Sequence, residues 1–291
     1  MLLEYTAQKE DVGKFVKQII EREFSLSART LSKLKKNGGI KVNGETVTVR
    51  FALSEKDILT LSIDDLPSEN IEKINIPLDV LYEDDDMLIV NKPLGMPTHP
   101  SQGHHTDTLA NAVMYRYRNE NFTFRAITRL DGDTTGVVLV ARNALSAQRL
   151  TDSLQKGDIK KEYAAVVLGV PTPEKGVIDA SIARCEDSVI KRKISQDGRN
   201  ALTKYELDFM RNDGKYSLVK AFPITGRTHQ IRLHLSHIGY PIYGDFLYGK
   251  PIDGVRAYLH CRRLTLPHPI TGESITVEAP LPEDIKVIMG I

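Results

Sequence analysis

The sequence has few of the features that mark secreted or membrane proteins. Its 291 residues include two cysteines, Cys185 and Cys261, which lie far apart and form no CxxC pair. Neither a disulfide framework nor a structural zinc site is therefore expected. No apolar run reaches the length that spans a bilayer, and Glu4, Glu10 and Asp11 near the start argue against a secretory signal peptide. We expect a cytoplasmic protein that is not bound to a membrane.

An overall excess of basic residues is also missing, because the net charge is +1. The cations are nevertheless clustered. Residues 25–44 hold five cations and no acid, and residues 191–204 hold five cations against the single Asp197. Such runs are often solvated helix faces or loops. Where clustered cations bind a partner, nucleic acid is favoured, since phosphate neutralisation supplies much of the binding energy.

Residues 12–62 have the pattern of a small α+β unit. Apolar residues recur at helical spacing over residues 12–20, and a second helix is predicted from about residue 25, with Ser27 as its N-cap. The sequence IKVNG at residues 40–44 alternates and ends in Asn43-Gly44, which is typical of a hairpin turn. A polar, proline-containing stretch at residues 64–70 predicts a linker, so we expect domains at residues 1–70 and 76–291.

The first of these units resembles the S4 RNA-binding domain. The resemblance rests on the sequence GGIKVNG at residues 38–44 and KDIL at residues 56–59, where Lys56 stands in place of the family's glycine. It implies that the basic second helix contacts RNA through Arg29, Lys33 and Lys36. A generic α+β module with a basic face is the alternative.

Beyond residue 76, strands outnumber helices. Strands are predicted at residues 87–90, 137–140, 163–168, 201–209, 216–222 and 275–279, and helices at residues 108–117, 144–156 and 228–238. The strands come as hairpin-like neighbours. This favours an α+β fold, with a largely antiparallel mixed sheet and flanking helices, over a parallel doubly wound fold.

The segment TRLDGDTTG at residues 128–136 leads directly into one of these strands. A loop rich in Asp, Thr and Gly that feeds a buried strand can hold a carboxylate rigidly and still leave it exposed in a cleft. The alternative is a polar turn stabilised by Asx-type hydrogen bonds.

From about residue 80 to its end, the chain resembles the RluA-type family of pseudouridine synthases, whose signature is HRLDxxTSG. The chain departs from the signature at Thr128, where His is usual, and at Thr135, where Ser is usual. The matching positions are Arg129, Leu130, Asp131, Thr134 and Gly136.

Five further segments match motifs of the same family in the same order. They are NKPLGMPTHP at residues 91–100, KEY at 161–163, TGRTHQIRLH at 225–234 with Gly239, PIYGD at 241–245, and LH at 259–260 with HP at 268–269. One such segment would be weak evidence. Five in the right order, spread over most of the chain, make a chance match improbable.

The resemblance implies a pseudouridine synthase fold and an enzyme that isomerises uridines in structured RNA. The reaction breaks the N1–C1′ bond, turns the uracil and rejoins it through C5. It needs a carboxylate that acts as nucleophile or base, but no redox cofactor, ATP or metal. The resemblance makes Asp131 this carboxylate, Arg227 its ion-pair partner and Tyr163 the residue that stacks on the uracil. It also implies that Arg129 fills the space left by the extruded base.

Other polar residues of these motifs are candidates for binding the substrate. Thr134 belongs to the loop, and Gln230 lies on the polar face of the helix predicted at residues 228–238. His229, His234 and His237 occur in the same helix, but their spacing does not fit a standard metal motif. No metal site is therefore expected.

Two other classes of function remain open. A non-catalytic RNA-binding protein fits the S4-like unit and the departure at Thr128. A hydrolase could use Asp131 and Asp133 as paired carboxylates on a nucleoside or sugar. Since the RluA-type family modifies ribosomal and transfer RNAs, the separate S4-like unit favours large-subunit ribosomal RNA as the substrate. A monomer is expected.

Overall fold

The protein is described by a computed structural model. It covers residues 2–24, 26, 28–62, 70–252 and 254–291, without the side chains of residues 28 and 29. The predicted N-cap Ser27 and residues 64–69 of the predicted linker lie outside the described residues. Strands predominate and helices flank them, so the prediction of an α+β fold with a largely antiparallel mixed sheet is confirmed.

A four-stranded antiparallel sheet comes first along the chain. Its strands are β1 (Leu2–Thr6), β2 (Ile40–Val42), β3 (Glu45–Thr46) and β4 (Ile58–Ser62), in the spatial order β1-β4-β2-β3. The predicted hairpin turn joins β2 to β3. There Asn43 and Gly44 have φ angles of 51° and 87°, the left-handed values that a two-residue turn of this kind requires.

Short helices accompany this sheet, and all but the first of them share its apolar core. They are a 3-10 turn (Lys9–Asp11), α1 (Val16–Ile19), a π-helical turn (Ile20–Phe24) and α2 (Ala28–Lys36). Val16, Ile19 and Ile20 are buried in that core with Leu59 of β4. Lys56 has a φ of 69°, a left-handed conformation that favours glycine, the residue that the S4 pattern has at this position.

The remaining strands form a large sheet and a small hairpin. In chain order they are β5 (Asp79–Glu83), β6 (Met87–Lys92), β7 (Thr135–Ala141), β8 (Lys160–Leu168), β9 (Lys175–Asp179), β10 (Ile182–Arg184), β11 (Arg192–Ile194), β12 (Leu202–Met210), β13 (Tyr216–Pro223), β14 (Leu259–Pro267) and β15 (Ser274–Glu278). β10 and β11 pair with each other. The other nine have the order β5-β6-β7-β14-β8-β13-β12-β9, with β15 beside the second half of β14.

The only parallel pairing among the described strands of the large sheet joins β7 to β14. Gly136 of β7 lies opposite Cys261, and its φ is 110°. A Cβ at this position would lie 2.2 Å from the Cys261 carbonyl oxygen, so only glycine allows the two backbones to approach this closely. The glycine at the end of the TRLDGDTTG segment therefore fixes where β7 begins against β14.

Among the residues that the structure describes, four helices accompany the large sheet. They are α3 (Leu109–Arg116), α4 (Ala144–Lys156), α5 (Gln230–His237) and α6 (Glu283–Met289). The predicted bounds of α4 are confirmed: the Asn143 side chain accepts a hydrogen bond from the Ser146 amide, and the helix ends at Gly157 with a φ of 80°. None of the described helices combines the length and the apolar character needed to cross a membrane.

Candidate active site

A cavity of about 320 Å³, the catalytic pocket below, lies between the loop before β7 and the start of α5. Its walls come from loop residues 127–134, from β8 and from residues 223–232. Six residues predicted as site residues line it together: Arg129, Asp131, Thr134, Tyr163, Arg227 and Gln230. Segments separated by up to about a hundred residues in sequence thus meet in one pocket.

The loop that carries Asp131 is fixed by hydrogen bonds to its backbone. The Thr134 amide donates to the Asp131 carbonyl oxygen at 3.1 Å. The Thr98 hydroxyl donates to the Leu130 carbonyl oxygen at 2.9 Å and accepts from the Leu130 amide at 3.2 Å. The Asp131 side chain is 27% exposed, so a rigid backbone presents its carboxylate to the pocket.

A buried lysine supports the same loop from β6. The Lys92 ammonium is fully buried and donates to the carbonyl oxygens of Met96 at 2.7 Å, Pro93 at 3.0 Å and Gly132 at 3.4 Å. Burial lowers the pKa of Lys92 to about 8, although the nearby negative charge of Asp131 acts to raise it. The ammonium is therefore mainly protonated at neutral pH and can hold these carbonyl groups together.

Two side chains near the start of α5 face the Asp131 carboxylate. Nη1 of Arg232 lies 3.8 Å from Asp131 Oδ2, and Nε2 of His229 lies 3.7 Å from the same oxygen. His229 has a left-handed φ of 58°, and its Nδ1 is 2.9 Å from the Tyr248 hydroxyl. Burial lowers the pKa of His229, although the charge of Asp131 opposes this. The imidazole is therefore mainly neutral near pH 7.

Arg232 is itself held by a second carboxylate. It is 2% exposed, and its Nε and Nη2 atoms donate to the two oxygens of Asp245, each at 2.7 Å. The amides of Leu247 and Tyr248 donate to Asp245 as well. Burial alone would raise the pKa of the Asp245 carboxyl group, but the hydrogen bonds and charge of Arg232 outweigh burial and lower it. This two-bond geometry leaves Nη1 of Arg232 within reach of Asp131.

The predicted ion pair between Arg227 and Asp131 is wrong. Arg227 lines the pocket, but its Nε donates to the Asn200 carbonyl oxygen at 3.0 Å. Within the described parts of the chain, Arg232 is the arginine at ion-pair distance from Asp131. The reason is local: α5 begins at residue 230 rather than 228, and the chain turns through the left-handed His229. Arg227 precedes this turn and does not lie on the helical face that meets Asp131.

Tyr163 and Lys161 enter the pocket from β8. Tyr163 is 9% exposed, and burial raises its pKa well above the ordinary value, so its hydroxyl stays protonated. Burial lowers the pKa of Lys161. Within the described residues, the Lys161 ammonium has no hydrogen bond or ion pair, although it lines the same pocket.

Gln230 lines the pocket, but its side-chain amide forms hydrogen bonds within the protein. Its oxygen accepts from the Thr225 hydroxyl at 2.8 Å and from the Arg227 amide at 3.0 Å. Its nitrogen donates to the Leu202 carbonyl oxygen at 2.9 Å and to the Thr203 hydroxyl at 3.0 Å. Direct contact of Gln230 with a substrate stays a prediction. In this structure its amide shapes the pocket wall.

The other predicted binding residues are exposed cations. Arg129 is exposed at the pocket and, among the described residues, has no hydrogen bond or ion pair. Lys33 and Lys36 are exposed on α2 and do not line the pocket. The Arg29 side chain lies outside the described residues.

Thr128, where the RluA-type signature has His, connects the loop to the sheet. Its side chain is buried, and its hydroxyl accepts a hydrogen bond from the Leu139 amide of β7 at 2.9 Å. The loop that carries Asp131 is therefore attached to β7 at its start, although Thr stands where the signature has His.

One group of metal-ligand residue types is close together in the described part of the chain: Asp84, Asp86 and His268. Its atoms already have protein partners. Asp84 accepts from His268 Nε2 at 2.9 Å and from the Tyr82 hydroxyl at 2.7 Å, and Asp86 accepts from the Ser146 hydroxyl at 2.7 Å. None of the three lines the catalytic pocket. The group works as a hydrogen-bonded link between the turn that joins β5 to β6 and the segment after β14.

Three groups around Asp131 were missed by sequence reasoning: His229 and Arg232 as its neighbours, and Asp245 as the partner of Arg232. A signal was present, because Arg232 belongs to TGRTHQIRLH and Asp245 to PIYGD. The two lie in separate motifs thirteen positions apart, however, and nothing in the sequence pattern pairs them.

Comparisons with known proteins agree on one family. The sequence model described as RNA pseudouridylate synthase matches residues 86–237. The chain is 38% identical over 274 residues to the uncharacterized RNA pseudouridine synthase YjbO of Bacillus subtilis, covering 92% of this chain and 96% of the relative. It is 36% identical over 285 residues to the ribosomal large subunit pseudouridine synthase D of Xanthomonas campestris, covering 92% and 85%.

A solved structure is similar in fold as well. The human protein named RNA pseudouridylate synthase domain containing 4 has a TM-score of 0.58 and 28% identity, over 71% of this chain and 89% of its own.

Proposed function

Because the chain belongs to the RNA pseudouridylate synthase family, we propose that Asp131 is the catalytic carboxylate with which it converts uridine to pseudouridine in RNA. The observation that carries this assignment is the position of Asp131. Its carboxylate enters a pocket of the size that small-ligand sites have, opposite Arg232 and His229 and beside the buried ring of Tyr163.

The reaction requires no outside atoms. The N1–C1′ bond breaks, the uracil turns, C1′ bonds to C5, the C5 proton leaves and N1 takes up a proton. Asp131 acts at the sugar or the base as nucleophile or base. Arg232, fixed by Asp245, orients the carboxylate, and Tyr163 stacks on the uracil while it turns.

Access to the uracil requires that it leave the RNA stack, which costs a few kcal/mol. We assign this step to Arg129, because its guanidinium is exposed at the pocket and lacks a partner among the described residues. A planar guanidinium can stack in the vacated position. Thr134 contributes through the loop that fixes Asp131, and Arg227 belongs to the pocket wall.

The proposed substrate is ribosomal RNA of the large subunit, with transfer RNA as the other candidate. One relative of 36% identity is named for the ribosomal large subunit. We also propose that the protein is a monomer, that it works in the cytoplasm and that it needs no metal.

The first unit of the chain, residues 1–70, is proposed to bind RNA as an S4-like domain, with residues 76–291 as the catalytic domain. The support is the sheet of β1 to β4 with its packed helices, the left-handed Lys56 at the glycine position, and exposed Lys33 and Lys36 on α2. These cations would neutralise phosphates, so RNA affinity should fall steeply with salt.

The decisive experiment measures tritium release from C5-labelled uridine in ribosomal and transfer RNA transcripts. Asp131→Asn is compared with wild type, and Asp133→Asn is the matched control, because Asp133 is the neighbouring carboxylate but does not line the pocket. We expect release by wild type and Asp133→Asn and none by Asp131→Asn, which should still bind RNA.

Three other outcomes would contradict this assignment or indicate a different function. Release by Asp131→Asn would refute the assigned role of Asp131. Free uracil or sugar in the reaction, lost in both variants, would indicate a hydrolase with paired carboxylates. RNA binding without release from any transcript, including assembled ribosomal particles, would indicate a non-catalytic binding protein.

A further inference from the structure

A second cavity, of about 470 Å³, adjoins the catalytic pocket. The two share residues 226–228 as a common wall. The rest of the second cavity is formed by the hairpin of β10 and β11 and by residues 197–199. Four arginines line it, and it is called the arginine cavity below: Arg184, Arg192, Arg199 and Arg227.

The charge of these arginines is not compensated within the described protein. None of the four forms an ion pair there, and the one carboxylate in the wall, Asp197, is not at ion-pair distance from any of them. Elsewhere several arginines bind carboxylates directly, as Arg256 does with its Nε 2.7 Å from Asp284. The cavity therefore offers positive charge to a ligand.

Neutral groups nevertheless hold three of the guanidinium groups in place. Arg184 donates to the Val189 carbonyl oxygen at 3.0 Å, Arg192 donates to the Ile190 carbonyl oxygen at 3.0 Å, and Arg227 donates to that of Asn200 at 3.0 Å. Carbonyl groups fix the position of an arginine without neutralising it, so the donors that remain are available to an anion.

The arginine cavity is also connected to the reacting carboxylate. The Arg192 amide donates to the Tyr248 hydroxyl at 2.9 Å, and that hydroxyl lies 2.9 Å from Nδ1 of His229. Nε2 of His229 lies 3.7 Å from Asp131. The hairpin is thus attached to the wall of the catalytic pocket through one tyrosine.

We propose that the arginine cavity binds phosphodiester groups of the RNA strand next to the uridine held in the catalytic pocket. This inference rests on the proposed function. Phosphates joined to the target nucleotide must lie close to it, and the shared wall at residues 226–228 places the cavity where the strand passes. A guanidinium group binds phosphate oxygens through two parallel hydrogen bonds, and a cavity lined by four of them matches an anionic backbone better than a base.

Arg199 offers the cleanest test, because its side chain makes no hydrogen bond or ion pair within the described residues. Arg199→Gln removes one charge, and Arg199→Lys keeps it. Arg118→Gln is the control, since Arg118 is also exposed but lines a different cavity, where it donates to the Tyr115 carbonyl oxygen at 3.1 Å and lies over the Tyr115 ring. Each change is made in the full chain.

Binding is measured at about 50 to 300 mM KCl in the Asp131→Asn background, with the transcript that wild type modifies fastest. We expect Arg199→Gln to weaken binding about tenfold, the effect of one charge-assisted hydrogen bond. It should also reduce the slope of log affinity against log salt by about 0.7 to 1. Arg199→Lys should keep the slope, and Arg118→Gln should match the parent protein. With Asp131 intact, Arg199→Gln should raise the KM for tritium release and keep kcat.

An unchanged slope for Arg199→Gln, or an equal loss in Arg118→Gln, would overturn the proposal. Inorganic phosphate gives a separate arm: if, at millimolar concentration, it binds the parent protein but not Arg199→Gln and does not compete with RNA, the cavity is a free-phosphate site and not a strand site. The proposed function fails separately, when Asp131→Asn still releases tritium. Should no transcript release tritium, the binding series is run on the transcript bound most tightly.

Discussion

Arg232 donates two hydrogen bonds of 2.7 Å to Asp245, and this pairing leaves its third nitrogen 3.8 Å from Asp131. The arginine is almost fully buried and Asp245 is completely so. A buried ion pair of this kind is weak evidence for stability, because desolvation offsets much of the attraction. The pair fixes a position: Asp245 holds the guanidinium, and the guanidinium faces Asp131, the carboxylate that we propose is catalytic.

Arg232→Lys should therefore lower kcat about 100-fold, the effect of misplacing a catalytic group by about 1 Å. Lysine keeps the charge but cannot bind Asp245 through two bonds and still reach Asp131. The measurement is tritium release at saturating RNA, with KM determined in parallel. Arg256→Lys is the control, because Arg256 makes a similar pair with Asp284 away from the pocket. An Arg232→Lys enzyme with normal kcat would contradict the assigned role.

Gly136→Ala should destabilise the protein by about 3 kcal/mol or more. The added Cβ would overlap the Cys261 carbonyl oxygen, and the left-handed φ of Gly136 adds strain. Gly132→Ala is the matched control four residues earlier, because a Cβ there meets no atom within 4 Å. It should change the free energy of unfolding by less than about 1 kcal/mol. Urea unfolding measures both, and equal effects would show that β7 and β14 can move apart.

Thr128→Val should lower the free energy of unfolding by about 1 to 3 kcal/mol, since it leaves the buried Leu139 amide without its acceptor. Thr128→Ser keeps the hydroxyl and should lower it by about 1 kcal/mol or less, because only one methyl group is removed. Hydrogen exchange provides a local readout. The Leu139 amide should exchange faster in the valine variant and at the wild-type rate in the serine variant. The opposite order would mean that the hydroxyl does not hold the loop.

Acid should destabilise the fold through its buried histidines. Burial lowers the pKa of His260 to about 4, whereas an unfolded histidine titrates near about 6.5. Between these pH values the unfolded chain binds a proton that the folded chain does not. The contribution of neutral His260 to the free energy of unfolding is therefore present above about pH 6.5 and is lost as the pH falls toward about 4. His260 alone should lower the free energy of unfolding by about 2 kcal/mol between pH 7.5 and pH 5.

The check is urea unfolding at both pH values. His260→Gln should show a smaller loss, while His237→Gln, at an exposed position, should keep the wild-type dependence. His229 and His234 also have pKa values lowered by burial, so part of the loss should persist in His260→Gln. A wild-type protein equally stable at both pH values would refute the prediction.

Local chemistry in the sequence determined a large part of this protein. Asn143 and Gly157 mark both ends of α4, because a side-chain cap and a left-handed glycine act within one turn of the helix. Asn43-Gly44 likewise specifies the turn between β2 and β3. Local chemistry predicted the loop of residues 128–136 but left a simple polar turn open, and it was the resemblance to the RluA-type signature that singled out Asp131.

Only the tertiary structure decided which groups meet Asp131. The family resemblance implied Arg227, but the left-handed turn at His229 delays the start of α5, and Arg232 faces the carboxylate instead. The partner of Arg232 comes from a separate segment, and neither periodicity nor local propensity carries information on such a contact. The two segments are brought together by burial around a fully enclosed charge, which must find its counter-charge wherever the packing of the chain places one.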